Sequence, residues 1–220
     1  MEKINRFIEY TNLRPNVKEK DIDKLIREAK EYNFRAICIP PFWVKKAARE
    51  MGSSDPLVVT VIGFPLGFHM TQTKLTEMKQ AAEDGADELE VVMNMSAFKS
   101  GMNWVKTEIA KCAHLAHEND TLLKVIIETA YLDADEIEKV CRICADAGTD
   151  FVKTSTGFAS SGAKVEDVSL MRKVLPSIVG IKATGGIRSY EDAIALIRSG
   201  ADIVGTSSAP QIMETLINDD

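Results

Sequence analysis

The sequence predicts an α/β chain folded as a closed (β/α)8 barrel, a single domain over residues 1–220. Three observations predict it. Short continuous apolar runs alternate with amphipathic helical stretches, the runs number eight, and two late runs each place a lysine near their end. Apolar runs without polar alternation are strands buried on both faces, which helices covering a parallel sheet provide. Eight such strands close a barrel, and 220 residues lie at the small end of its range. An open doubly wound sheet would carry a glycine-rich turn after its first strand, and none stands there.

Taken in order, Ile8-Glu9-Tyr10-Thr11 is a short strand. A helix follows over Asn16 to Asn33, with Ile22, Leu25, Ile26 and Ala29 on one face. Phe34 to Ile39 is a strand, stopped by Pro40-Pro41. Trp43 to Glu50 is helical, Gly52 to Pro56 a loop, and Leu57 to Ile62 the third strand, ended by Gly63-Phe64-Pro65. The helix Thr71 to Glu83 turns Leu75, Met78 and Ala82 inward. Strand Asp87 to Met93 precedes a helix from Trp104 to His117, with Val105, Ile109, Cys112 and Ala116 inward. Leu122 to Ile127 is the fifth strand, and Asp133 to Ala147 a helix whose Asp133 and Glu136 are spaced for a capping box. The Lys153 strand, a helix over Val165 to Leu175 and the Lys182 strand (Ile178 to Ala183) come next. A helix from Tyr190 to Ser199 buries Tyr190, Ala193, Ile194 and Ile197. Ala201 to Gly205 and Ala209 to Leu216 complete the alternation of a TIM barrel.

Composition narrows the function classes. The formal net charge is −6 and no basic run tracks a phosphate backbone, so nucleic acid is not expected as a partner. No N-terminal signal pattern and no apolar run of membrane-spanning length is present, so a cytoplasmic protein without membrane contact is expected. Four cysteines in a chain this long do not form a disulfide framework. Cys141 and Cys144 share a helical face with Ile137 and Val140 and are expected in a buried helix. His114 and His117 lack a third ligand, so no metal is expected.

The chemistry concentrates at strand ends. In such a barrel the active site lies at the C-terminal ends of the strands, and phosphate binds the loops after strands seven and eight. Here those loops are Thr184-Gly185-Gly186 and Gly205-Thr206-Ser207-Ser208, both able to bring backbone N–H groups to an anion. Lys153 and Lys182 would stand side by side on strands six and seven. At ~5 Å and an effective dielectric of ~20 they repel by ~3 kcal/mol, and partial desolvation would bring the rest of what a neutral amine near pH 7 requires. A neutral amine at a pocket forms a Schiff base with an aldehyde. Of Glu88 and Glu90, which share a face of strand four, Glu90 lies nearer the catalytic end and is the candidate general acid/base. Lys124 and Glu128 point inward as an ion pair or an electrostatic support, and Cys38 lies near the pocket without an assigned reaction.

The runs Thr60 to Gly67, Leu123 to Thr129, Asp150 to Phe158 and Gly180 to Arg188, with Gly205-Thr206-Ser207-Ser208, resemble the deoxyribose-phosphate aldolases, in the right order over nearly the whole chain. The resemblance implies a class I aldolase that reversibly cleaves 2-deoxy-D-ribose 5-phosphate to glyceraldehyde 3-phosphate and acetaldehyde without a cofactor or metal. It puts Lys153 on the Schiff-base lysine and Lys182 on the lysine that tunes it. Gly185, Gly186, Gly205, Ser207 and Ser208 fall on phosphate-binding loops, and Thr11 and Thr156 join the substrate-binding set. It implies a phosphosugar and an aldehyde as partners, and assembly into a homodimer or homotetramer. The chain departs from the family where aspartates become Glu90 and Glu9, where Pro40 replaces an asparagine, and at its Asn218-Asp219-Asp220 end; a slower enzyme or a shifted substrate preference is expected. Two other readings stay open: a phosphosugar isomerase or another Schiff-base lyase on the same barrel, and a non-catalytic phosphosugar-binding protein.

Overall fold

A computed structural model describes residues 4–52 and 56–218. Residues 53–55 of the expected Gly52–Pro56 loop, and Asp219 and Asp220, lie outside the described residues. Eight parallel strands, β1 (Ile8–Thr11), β2 (Ala36–Ile39), β3 (Leu57–Ile62), β4 (Glu88–Val92), β5 (Leu122–Ile126), β6 (Phe151–Lys153), β7 (Gly180–Thr184) and β8 (Ile203–Thr206), pair in chain order and close β8 onto β1. Around them lie α1 (Glu19–Glu31), α2 (Val44–Met51), α3 (Thr71–Glu83), α4 (Met95–Lys99), α5 (Trp104–Glu118), α6 (Ala134–Asp146), α7 (Val165–Val174), α8 (Tyr190–Arg198) and α9 (Ala209–Asn218).

The apolar core lies between strands and helices rather than in the barrel lumen. Along β3, Val58 and Ile62 face outward into it, whereas Val59 and Val61 join Ala36 and Cys38 in a small inner cluster. Helix α1 buries the four predicted residues Ile22, Leu25, Ile26 and Ala29; each fully buried Ile or Leu contributes about 1.5–3 kcal/mol. The capping box at α6 forms as expected, Asp133 accepting from the Glu136 N–H at 2.9 Å and Glu136 from the Asp133 N–H at 3.0 Å.

A repeated device fixes the lower end of the barrel. Gly85-Ala86-Asp87, Gly148-Thr149-Asp150 and Gly200-Ala201-Asp202 each turn a helix into the next strand through a left-handed glycine. The aspartate carboxylates accept the N–H groups of Val58, Leu123 and Ile181 at 2.7–2.8 Å, tying β4, β6 and β8 to the start of the preceding strand.

Some expected faces and boundaries differ. Helix α1 starts at Glu19 rather than Asn16, because the Asp21 carboxylate takes the Lys18 N–H (2.9 Å) and fixes the first turn there. Helix α3 buries Lys74 and Ala81 in place of Leu75 and Ala82. Its Lys74 ammonium is satisfied by Glu108 (2.7 Å) and the Val92 carbonyl (2.8 Å), so a charged residue occupies the inward face. Leu196 is buried on α8, where Tyr190, Ile194 and Ile197 are half-buried. Helix α4, one turn capped by Asn94, is too short to leave a period in the sequence.

Candidate active site

The barrel lumen is filled by charge. Glu9 on β1, Glu88 and Glu90 on β4, Lys124 on β5, Lys153 on β6 and Lys182 on β7 are all buried, and Arg35, just before β2, reaches in beneath them. Parallel register places Lys153 opposite Lys182, and Glu90 opposite Lys124. Glu90 bridges the two late lysines, one oxygen 2.6 Å from Lys153 Nζ and the other 2.5 Å from Lys182 Nζ. Lys182 also pairs with Glu9. Lys124 pairs with Glu9 and with Glu88 at 2.6 Å, and lies 3.6 Å from Glu90. Arg35 holds Glu9 at 3.1 Å and Glu88 at 2.5 Å. Phe151 closes the floor, its ring 5.8 Å from the Arg35 guanidinium and 5.7 Å from Lys124 Nζ.

Three carboxylates therefore face four cationic side chains. Burial alone would push the Glu90 carboxyl up; Lys153, then Lys182 and Lys124, outweigh it and hold Glu90 well below the carboxylate range. Burial likewise opposes ionisation of Glu88, but Lys124 and Arg35 bring it down to about 2. For Lys182, burial disfavours the cation, and Glu9 and Glu90 reverse this and raise it. The expectation that two bare lysines repel is corrected here. Glu90 stands between them and keeps Lys182 an ammonium, while Lys153 has that one carboxylate as its ion-pair partner.

Cys38 points into the same cluster, its thiol donating to Glu90 at 3.6 Å; burial, then Glu90, pushes it up to about 12, so it stays protonated. Glu9, Cys38 and Glu90 bring ligand atoms within 4.8 Å of one another. Those carboxylate oxygens already pair with lysine ammonium groups, which a metal would have to displace. The other three thiols are buried and unpaired, consistent with the helical-face reading of Cys141 and Cys144. His114 and His117 separate onto Glu118 (3.2 Å) and Asp150 (2.9 Å).

Above the cluster, at the C-terminal strand ends, opens a chamber of about 530 Å³. It is lined by Thr11, Thr156, Thr184 to Arg188 and Gly205 to Ser207. Gly185 and Gly186 have φ of 97° and 80°, a conformation in which a side chain is strained, and Gly186 faces open space. A Cβ on Gly205 would stand 2.8 Å from Lys182 Cε and 2.9 Å from Thr184 Oγ1, so glycine there leaves room for both side chains. Ser208 does not line the chamber; its N–H donates to Thr206 Oγ1 at 2.9 Å. Lys153 and Lys182 lie below the chamber floor, fully buried. An amine open to the pocket was expected; Glu90 and Glu9 draw both amines down instead. Glu128 does not pair with Lys124 but accepts from the Thr156 N–H and hydroxyl.

Sequence reasoning missed Arg14, Lys24 and Arg188, three cations at the chamber rim, and Arg35 below. Arg188 stands two residues after Gly186 and could have been read as an anion contact. Arg14 and Lys24 carry no local signal.

The charge cluster sets the pH response. Glu88 ionises near 2 in the fold against 4.5 ordinarily, so its contribution is present above pH 4.5 and lost as pH falls from there through 2. This amounts to about 3 kcal/mol. Glu90 has the same sign. Lys182 has the opposite one: its contribution is present below its ordinary value and lost only at higher pH. Urea unfolding followed against pH is expected to show a flat plateau through neutrality and a falling acid limb. In Glu88→Gln the plateau should drop by about 3–5 kcal/mol, since Arg35 and Lys124 lose a partner, and the acid limb should flatten. An unchanged acid limb would contradict the assignment.

The family model described as DeoC/LacD family aldolase matches residues 8–209. A deoxyribose-phosphate aldolase of Thermococcus kodakarensis is 50% identical over 215 residues, covering 96% of both chains. One from Thermococcus gammatolerans is 49% identical over 214 residues, covering 96% of this chain and 95% of its own. Among solved structures, one titled QR15, an aldolase, superposes with a TM-score of 0.94 at 39% identity, covering 99% of this chain and 97% of its own. The tetrameric deoxyribose phosphate aldolase of Aeropyrum pernix superposes with a TM-score of 0.89 at 33% identity, covering 99% and 92%.

Proposed function

The chain belongs to the DeoC/LacD family of aldolases, and from that premise we propose how its own residues carry the reaction. It is a lyase that cleaves deoxyribose phosphate, the activity for which its curated relatives are named. We assign the Schiff base to Lys153. One observation carries the assignment: four cations share three carboxylates, so the buried cluster is neutral when one amine is uncharged. Lys153 pairs with one carboxylate where Lys182 pairs with two.

The steps follow from these positions. Lys153 Nζ attacks C1 of the open-chain sugar, and loss of water leaves an iminium. The iminium draws in the electron pair of the C2–C3 bond, while the C3 hydroxyl gives up its proton. Glyceraldehyde 3-phosphate departs and an enamine remains. Glu90, held as a carboxylate, takes the hydroxyl proton; Lys182, held as an ammonium, lies beside it to return one to the enamine carbon. Water then releases acetaldehyde and the free amine. The chamber size suits a pentose phosphate. Gly185, Gly186, Gly205 and Ser207, with Arg188 and Arg14 at the rim, would receive the phosphate, whose remote binding orients the reacting carbon. We place Ser208 as support for that loop through Thr206.

Residues 1–220 act as one catalytic unit in this reading, in the cytoplasm. Among the described residues no helix is long and apolar enough to cross a membrane. A homodimer or homotetramer is supported by the tetrameric relative.

Borohydride reduction in the presence of acetaldehyde, followed by peptide mass mapping, is expected to leave a two-carbon adduct on the peptide carrying Lys153. An isomerase or a binding protein on this barrel would give none, and an adduct on Lys182 would reverse the assignment.

A further inference from the structure

The buried lysine of α3 takes no part in the proposed chemistry. Lys74 is fully buried outside the lumen, its Nζ 2.7 Å from Glu108 Oε1 and 2.8 Å from the Val92 carbonyl oxygen. The other Glu108 oxygen accepts the Thr71 hydroxyl at 2.7 Å. An apolar pair of similar volume is often at least as stable as a buried ion pair, so stability alone does not account for charge on this inward face. What an apolar side chain lacks is a donor for the carbonyl. Strand β3 ends at Ile62, opposite Val91, so Val92 stands one residue beyond that ladder, and Lys74 donates to its carbonyl where β3 no longer runs.

The same helix holds the loop after β3. Glu77 accepts the Gly63 N–H at 2.7 Å, and the Gly67 N–H closes the loop on the Gly63 carbonyl at 2.8 Å. Gly63 is left-handed, φ 62°, and a Cβ on it would stand 3.1 Å from Lys74 Cε, so the Lys74 stem lies against the loop. A Cβ on Gly67 would stand 2.2 Å from the Met93 carbonyl oxygen and 2.9 Å from that of Val92, so the far end of the loop lies on the end of β4. Between the two glycines, Phe64 meets Phe158 edge-on at 5.3 Å. Phe158 is 53% exposed and lines both the chamber and a neighbouring cavity of about 50 Å³, whose wall includes Pro65 and Leu66.

We propose that Lys74 is a positioning residue for substrate binding: it fixes the 63–67 loop on the end of β4, so that Phe64 backs Phe158 as a wall of the chamber. The inference rests on the aldolase reading. A half-exposed phenyl ring is held by packing from one side, and an edge-on aromatic partner supplies that packing in a defined geometry. The partner is only as fixed as its own loop, which hangs on two α3 side chains, Lys74 through the Val92 carbonyl and Glu77 through the Gly63 N–H. The wall stands at the chamber, above the fully buried Lys153 and Lys182. Loosening it weakens the hold on substrate and transition state alike, and such a loss appears in KM rather than in kcat.

The test is a double-mutant cycle on cleavage of 2-deoxyribose 5-phosphate. Lys74→Met is combined with Glu108→Gln, so that no buried carboxylate is left without its counter-ion. In this variant KM is expected to rise about three- to tenfold, the worth of one aromatic contact, with kcat within about twofold of native. Phe64→Ala should raise KM by a similar factor. All three substitutions together should raise it no further than either variant does, because both remove the same support. Lys79→Met, on the exposed face of α3, should change neither constant. An unchanged KM in Lys74→Met/Glu108→Gln, a loss confined to kcat, or factors that multiply with Phe64→Ala as those of independent sites do, overturns the proposal. If that variant does not fold, Glu77→Ala in the same cycle with Phe64→Ala decides by the same criteria. Failure of the aldolase reading would show separately, as absence of the borohydride adduct in the native protein.

Discussion

Replacing Lys153 by methionine is expected to lower kcat for sugar-phosphate cleavage by about 10⁴-fold or more, the order found when a catalytic nucleophile is removed, while the protein melts no lower than before. The two halves of this result come from one arrangement. Without Lys153, Arg35, Lys124 and Lys182 still match Glu9, Glu88 and Glu90 in number, so methionine leaves every carboxylate with a cationic partner. Lys182→Met is expected to behave differently. It would leave Glu9 and Glu90 each without one of their ammonium partners, so its melt is expected to fall below that of Lys153→Met. Steady-state cleavage rates and thermal melts of the two variants check both halves. Residual activity within tenfold of native in Lys153→Met, or a melt far below that of Lys182→Met, would remove Lys153 from its role.

Truncating Glu90 is the second large effect. Among the described residues it is the one group touching Lys153, Lys182 and Cys38 together. Glu90→Ala is expected to lower kcat by about 10²–10⁴-fold, the usual worth of a positioned acid/base. It should also cost about 3–5 kcal/mol of stability by leaving buried ammonium groups without a carboxylate. Glu90→Asp keeps the charge and shortens the reach by one methylene, so activity should rise or change little. A collapse of Glu90→Asp as deep as that of Glu90→Ala, measured by the same cleavage assay, would contradict an acid/base role that depends on the carboxylate rather than on its length.

Much of this was legible before any coordinates. Strands β1 and β3 and the span of α3 stand where apolar runs and breakers put them. Lys153 and Lys182 meet because parallel strands adjacent in sequence order bring like positions side by side. The Gly-Ala-Asp and Gly-Thr-Asp turns were equally open to reading, since a left-handed glycine followed by a capping carboxylate is a local signal. What was not legible depends on distant partners. Lys74 looks like a surface residue until Glu108, 34 positions on, satisfies it. Arg35 and Glu88 gain meaning only once the barrel closes. The burial of Lys153 follows from the pull of Glu90 across the lumen, which no strand pattern encodes.

The pairing of Glu9 with Lys182 joins residues 173 positions apart. At a synthesis rate of about 5–20 residues per second, the first of them is made roughly 9–35 s before the second. During that interval Arg35 and then Lys124 become available to that acidic group, and its third partner comes only with the seventh strand. The set of ion pairs in the lumen is therefore complete only once the seventh strand has been made.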